Sequence, residues 1–176
     1  MWNAKSPEAQ AADALVADRE LGERLATLTP DERSRVRVAF GPVELDFAGF
    51  VMARLNEHVS HAWDVEVTFD PTATLAPDAT RLVVDNLGLI ARFAGRPTGE
   101  VRDVLIHTVE PARDFTLALA DDAVALTPSE HTVAPDLELP AEAFIRLVYG
   151  RLDPAHTPPI AAAAELDALR RVFTGL

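Results

Sequence analysis

Leu55-Asn56-Glu57-His58-Val59-Ser60-His61-Ala62-Trp63-Asp64 is the stretch on which the reading of this chain turns. It lies in a run without Gly or Pro between Gly49 and Pro71. That run predicts a helix over 44–67, stopped by Asp70-Pro71 because the residue before a proline is pushed out of helical geometry. Phe47, Val51, Leu55, His58 and Ala62 recur at helical spacing and are its expected buried stripe. Residues i and i+4 share one helix face, so the carboxylate of Glu57 and the imidazole of His61 can converge on one cation. Asp64, seven residues beyond Glu57, falls on the same stripe and can hydrogen-bond a ligand from behind. A carboxylate with an imidazole suits zinc or a similar divalent ion. His58 points about 100° away around the helix. The plainer alternative is an ordinary i,i+4 hydrogen bond or a solvated pair, and spacing alone does not decide. Two ligands are also too few for a stable site, and the preceding segment offers no third.

Composition narrows the class. The chain has 176 residues, is 48% hydrophobic and can bury a genuine core as one domain or two small ones. It has no cysteine, so disulfides, thiolate metal sites and a cysteine nucleophile are excluded. Any thiol chemistry must use a thiol supplied by a substrate. A formal net charge of −12 argues against nucleic acid, since nothing would neutralise phosphates over a broad face. No apolar run approaches the roughly 20 residues that span a bilayer. The polar start around Lys5 lacks the apolar centre of a signal peptide. A cytoplasmic protein is expected.

Outward from the central stretch, the chain reads as a helical half and a mixed half. Ser6-Pro7-Glu8 opens a helix with a capping residue, a first-turn proline and an acid at the positive dipole end. It runs to about Leu28, with Leu15, Leu21, Leu25 and Leu28 on an approximate apolar face. Thr29-Pro30-Asp31-Glu32 restarts the chain as a turn or short helix, and Gly41-Pro42 breaks it. A further helix is predicted over 78–94, carrying Leu82, Val83, Leu87, Ile90 and Phe93 and closed by Gly95-Arg96-Pro97. After Pro97 the period changes from helical to alternating. Strands are predicted at 101–109, 114–120, 123–127 and 130–133, with Asp121-Asp122 as a hairpin turn. Two more helices are predicted over 139–149 and 165–173. The expected fold class is α+β: about three helices over 1–97, then a small α+β domain over 98–176 with a three- to four-stranded sheet.

Two stretches carry a resemblance to a known family. Arg54-Leu-Asn-Glu57-x-x-x-His61-Ala-Trp63-Asp64 is similar to the mycothiol-dependent maleylpyruvate isomerase family of actinobacteria. Leu139-Pro-Ala-Glu142-Ala-Phe-Ile-Arg146-Leu-Val-Tyr149-Gly-Arg151-Leu-Asp153-Pro resembles the C-terminal domain of the same family. The resemblance implies a DinB-like four-helix bundle whose metal is held by Glu57, His61 and a second histidine from the bundle's first helix. That helix carries a Trp-Thr-Val…His-Leu pattern absent here, and residues 1–35 contain no histidine. The chain therefore reads as a member lacking its opening helix, with an incomplete bundle and an uncovered apolar groove. A homodimer, or a complex through the helical half, is expected to cover it. The implied activity is a metal-dependent, mycothiol-dependent isomerase or S-transferase. Its cofactors would be a divalent metal, zinc by donor chemistry, and mycothiol as thiol cosubstrate, acting on a small electrophilic substrate.

The resemblance further implies that an arginine of the C-terminal domain binds substrate carboxylate. Arg151 is the candidate catalytic residue and Arg146 its alternative. A helix-end cation paired with Asp153 or Glu142 is the structural alternative. Trp63 reads as core packing, and His107, His131 and His156 as surface or capped histidines. No Gly-x-Ser-x-Gly elbow or phosphate-binding glycine loop is present. The competing function is a non-catalytic binding or scaffold protein that keeps the fold with an incomplete metal site.

Overall fold

The computed structural model describes residues 4–41, 43–130 and 132–175. Helices and two small sheets make an α+β protein. The chain gathers into two compact units, Met1–Val51 and Met52–Leu176. The expected division between 97 and 98 falls inside the second unit, because the helices before it and the strands after it share one core.

In the first unit, α1 (Pro7–Thr27) opens with Ser6 accepting from the Ala9 N–H, as its sequence predicts. None of its residues is fully buried; of the expected apolar face, Leu21, Leu25 and Leu28 are half-buried and Leu15 is exposed. A full capping box between Thr29 and Glu32 starts α2 (Pro30–Arg35). The Arg33 guanidinium donates to the Ala26 carbonyl at 3.2 Å and ties α2 to the end of α1. Two short strands, β1 (Val38–Phe40) and β2 (Val43–Leu45), pair antiparallel. They occupy residues that helical spacing had assigned in part to the next helix. Pro42 and His131 lie outside the described residues.

The central helix, α3 (Phe47–Glu66), starts later than expected. Asp46 accepts from the Gly49 N–H at 2.8 Å, satisfying one of the free donors of its first turn. Its buried residues are Asn56, Val59, Ser60 and Trp63, whereas His58 and Ala62 are exposed. The inward face is thus turned from the predicted stripe. Trp63 sets it: the ring is buried, and its indole N–H donates to the Ala73 carbonyl at 2.9 Å.

The predicted helix over 78–94 is two helices, α4 (Pro77–Val83) and α5 (Leu87–Ala94), joined by a tight 3₁₀ turn at Val84–Asn86. The turn shifts the helical phase. Val83, Val84, Leu87, Ala91 and Ala94 point inward, and Leu82 and Phe93 stand exposed. Strands β3 (Arg102–Val109), β4 (Arg113–Leu119) and β5 (Val124–Pro128) match the predicted alternation within a residue or two. Ala120 and Ala123 close the expected hairpin turn at 2.9 Å. The expected strand over 130–133 is absent at its described positions. The fourth strand is instead β6 (Leu137–Pro140), parallel to β3, giving the order β5-β4-β3-β6. Proline is tolerated there because β6 is an edge strand.

One face of this sheet is apolar. Val104, Ile106, Phe115, Leu117, Leu137 and Leu139 are all buried on it. Helix α6 (Ala141–Val148) leaves β6 directly and buries seven of its residues, including Phe144 against Phe115. Helix α7 (Ala163–Val172) adds Leu166, Leu169 and Val172 to the same core. No helix among the described residues is long and apolar enough to cross a membrane.

Candidate functional site

Helical spacing brings Glu57 and His61 together as the sequence predicts. Glu57 Oε2 lies 3.3 Å from His61 Nε2 on the exposed flank of α3. The other ring nitrogen, Nδ1, is 3.0 Å from Asp64 Oδ2, so Asp64 holds the imidazole from behind in the expected way. One face of α3 therefore carries a carboxylate, an imidazole and a second carboxylate in a row.

The opposing group comes from the end of α6. Tyr149 caps that helix, and Gly150 reverses the chain at φ +67, a conformation that disfavours side chains. A Cβ on Gly150 would also stand 2.1 Å from the Gly175 backbone nitrogen, so only glycine fits this turn. The reversal aims Arg151 back at α3. Its Nε donates to Asp64 Oδ1 at 2.7 Å and its Nη2 to Asp64 Oδ2 at 2.8 Å, a two-pronged pair across 87 positions of sequence. Nη1 reaches the Tyr149 carbonyl at 3.3 Å. The helix-end alternative, an arginine paired with Asp153 or Glu142, gives way to Asp64 for Arg151 but holds for Arg146, which pairs with Glu142.

That contact sets the electrostatics of the site. Hydrogen bonding to Arg151 holds the Asp64 carboxyl below its ordinary value, with a smaller contribution from His61. The same bond raises Arg151, which is therefore a permanent cation at the site. Tyr149 is 3% exposed, and burial pushes its phenol well above the ordinary value, with the Glu57 carboxylate pushing further the same way. Its hydroxyl is buried without a hydrogen-bond partner, as is Asn56 Oδ1 on the inward face of α3. A buried tyrosine hydroxyl is normally paired. Sequence reasoning did not single out Tyr149; the signal lies in three dimensions, in an orphaned hydroxyl on the turn that presents Arg151.

An imidazole nitrogen of His61 and a carboxylate oxygen of Glu57 converge, a donor pair of the type that binds borderline divalent cations. The protein donors are two. Among the described residues, no group of three His, Asp or Glu side chains is placed to hold a metal ion.

The other sequence candidates separate cleanly. Arg146 is buried, not a site residue. Glu142 takes its Nε and Nη2 at 2.7 and 2.8 Å, the His156 carbonyl takes Nη1, and its guanidinium lies 5.1 Å from the Trp63 ring centre. Trp63 is core packing, with the His156 ring edge-on to it at 5.7 Å. His156 pairs with Asp153, and His107 on β3 with Asp114 on β4. A cavity of about 220 Å³ runs beside His58, Ala62, Trp63 and residues 74–76, on the flank of α3 opposite Glu57 and His61.

No family model matches this chain, and no curated protein or solved structure is detectably similar to it.

Proposed function

We propose that this chain is a metal-dependent, mycothiol-dependent isomerase or S-transferase acting on a small electrophilic substrate. The observation that carries the reading is the Arg151–Asp64 clasp. An arginine from the C-terminal part meets the helix bearing Glu57 and His61, which neither spacing nor composition required.

Each residue has a role in this reading. Glu57 and His61 supply the carboxylate and imidazole that hold a divalent ion, zinc by donor chemistry. Asp64 accepts the Nδ1–H of His61, which fixes the tautomer and leaves Nε2 with its lone pair beside Glu57. Arg151 holds Asp64 in place and puts a fixed positive charge where an anionic substrate would approach. A bound divalent cation lowers the pKa of a thiol and so supplies the reactive thiolate. The chain has no cysteine, so that thiol comes with the cosubstrate. A cytoplasmic setting and assembly as a homodimer through the helical half belong to the same proposal. Sedimentation of a stable monomer at micromolar concentration would remove the dimer.

Elemental analysis of purified protein tests the reading, with Glu57→Ala and His61→Ala as controls. Stoichiometric zinc lost in both variants is expected. Substoichiometric metal that neither variant changes would sink it.

One observation favours a second reading, a non-catalytic binding or scaffold protein. Both ring nitrogens of His61 already face carboxylates, an arrangement that also suits an imidazolium held between Glu57 and Asp64. A thermal stability that chelator leaves unchanged between about pH 5.5 and 8 favours this alternative.

A further inference from the structure

Helices α4 and α5 bury one apolar face and expose a second. Val83, Val84, Leu87, Ala91 and Ala94 enter the core, while Leu82, Leu89 and Phe93 stand 56%, 43% and 54% exposed. Elsewhere among the described residues, exposed large hydrophobics come singly or in pairs, such as Val65 with Phe69. A single exposed leucine needs no explanation, but a line of three marks a surface that something covers. The line is regular. Asp78, Leu82, Asn86, Leu89, Phe93 and Arg96 follow one another at steps of three or four residues, and all six are exposed. That spacing is the seam along which two helices pack.

The seam also carries opposite charges at its two ends. Asp78 stands exposed in the first turn of α4, its contact with Arg81 a loose 3.6 Å. Arg96 stands exposed at the far end, where its backbone N–H is fixed to the Val172 carbonyl at 2.8 Å. Asp85, the acid beside the middle of the line, is already held by Arg113 at 2.6 and 3.1 Å. Asn86, between the leucines, turns its amide back to the Leu82 carbonyl at 2.9 Å. The centre is thus apolar and short of free charge, with an acid at one end and a base at the other.

We propose that this face is the interface of a homodimer, covered by the same face of a second copy lying antiparallel to it. A two-fold contact demands a patch that complements itself when reversed. Reversal here sets Leu82 against Phe93 of the second copy and Asp78 against its Arg96, twice over, with Leu89 beside the axis. A parallel arrangement would instead set acid on acid and base on base. The inference gives a surface to the homodimer proposed above and requires neither metal nor thiol. The seam spans about 28 Å of helix, shorter than a standard interface of roughly 800 Å² per partner needs, so the dimer should dissociate in the micromolar range.

Sedimentation of the full chain across micromolar concentrations tests it, with the folding of each variant checked by circular dichroism. Leu89→Glu puts a charge beside the axis and should raise the dissociation constant about thirtyfold or more. Asp78→Arg and Arg96→Asp should each weaken the dimer about three- to tenfold, and the double variant should return to within about threefold of wild type. That rescue is one that a merely structural role for either residue would not give. A dimer that Leu89→Glu leaves intact overturns this surface while the homodimer stands. Should Leu89→Glu fail to fold, the charge exchange decides alone: a double variant no tighter than its two parents overturns the antiparallel arrangement. A wild type that stays monomeric overturns both the surface and the homodimer.

Discussion

Helices α1 and α6 invert the usual relation between length and burial. The first has 21 residues, a serine cap and an alanine-rich body, yet fully buries none of its side chains. The second has eight residues and no side-chain cap, yet buries seven of them. Local signals are sufficient to write α1: cap, first-turn proline and strong helix formers. An isolated eight-residue helix would not persist in water, so α6 exists because β6 delivers it onto the apolar face of the sheet. The difference matters for function, because the turn that closes α6 carries Tyr149 and Arg151. Precision at the candidate site comes from the helix held by tertiary packing.

The largest effect should come from the centre of the buried helix. Phe144→Ala removes a fully buried ring packed on Phe115 and should cost about 3–5 kcal/mol, measured as a fall in the urea midpoint. If the loss is below about 1 kcal/mol, α6 is not the anchor the contrast requires. Gly150→Ala comes next. It combines a positive φ with a clash against the Gly175 backbone and should cost about 2 kcal/mol, and it should also displace Arg151.

A smaller effect attaches to the clasp. Asp64→Asn should cost about 0.5–1 kcal/mol at pH 7, since the carboxylate is partly exposed and screened. The folded carboxyl titrates below its unfolded value of 3.8. Its stabilisation is therefore complete above that value and is lost as pH falls through the lower folded value. Denaturation of wild type and Asp64→Asn should differ at pH 7 and converge as pH falls below the lowered folded value. A difference that persists at the lowest pH would remove the ionic account.

The smallest effect belongs to the long helix. Leu15 is 75% exposed, and Leu15→Ala should change monomer stability by less than about 0.5 kcal/mol. A larger loss that grows with protein concentration would show α1 covered by a second copy.

Much of this architecture is legible in the sequence wherever one local rule governs. Ser6-Pro7 places the start of α1, and the alternation of Val104, Ile106 and Thr108 places β3 with its inner face. Glu57, His61 and Asp64 fall on one face of α3 by helical spacing alone. Where partners are remote, the sequence is silent. The apolar spacing of β2 runs on into that of α3, but β2 pairs with β1, and a three-residue strand carries too little pattern to be distinguished. The last two residues of β6, Leu139 and Pro140, read as the start of a helix and Leu137 carries no assignment, because Leu137 and Leu139 gain strand identity only from pairing with β3. The phase shift at Val84–Asn86 exchanges Leu82 and Phe93 for Val84 and Ala91, and the nearby Asn86 and Gly88 do not by themselves interrupt the helical spacing. The Arg151–Asp64 pair spans 87 positions, and no spacing rule reaches that far.

The close approach of Gly150 and Gly175 has a practical side for anyone handling the protein. The backbone at 174–175 lies directly on the turn that aims Arg151. An affinity handle or fluorescent partner fused after that point would lever on the turn. A handle placed ahead of α1 would extend from a helix with no fully buried residue. Zinc affinity compared between two proteins that differ only in the end carrying the handle would report how firmly the tail seats the clasp.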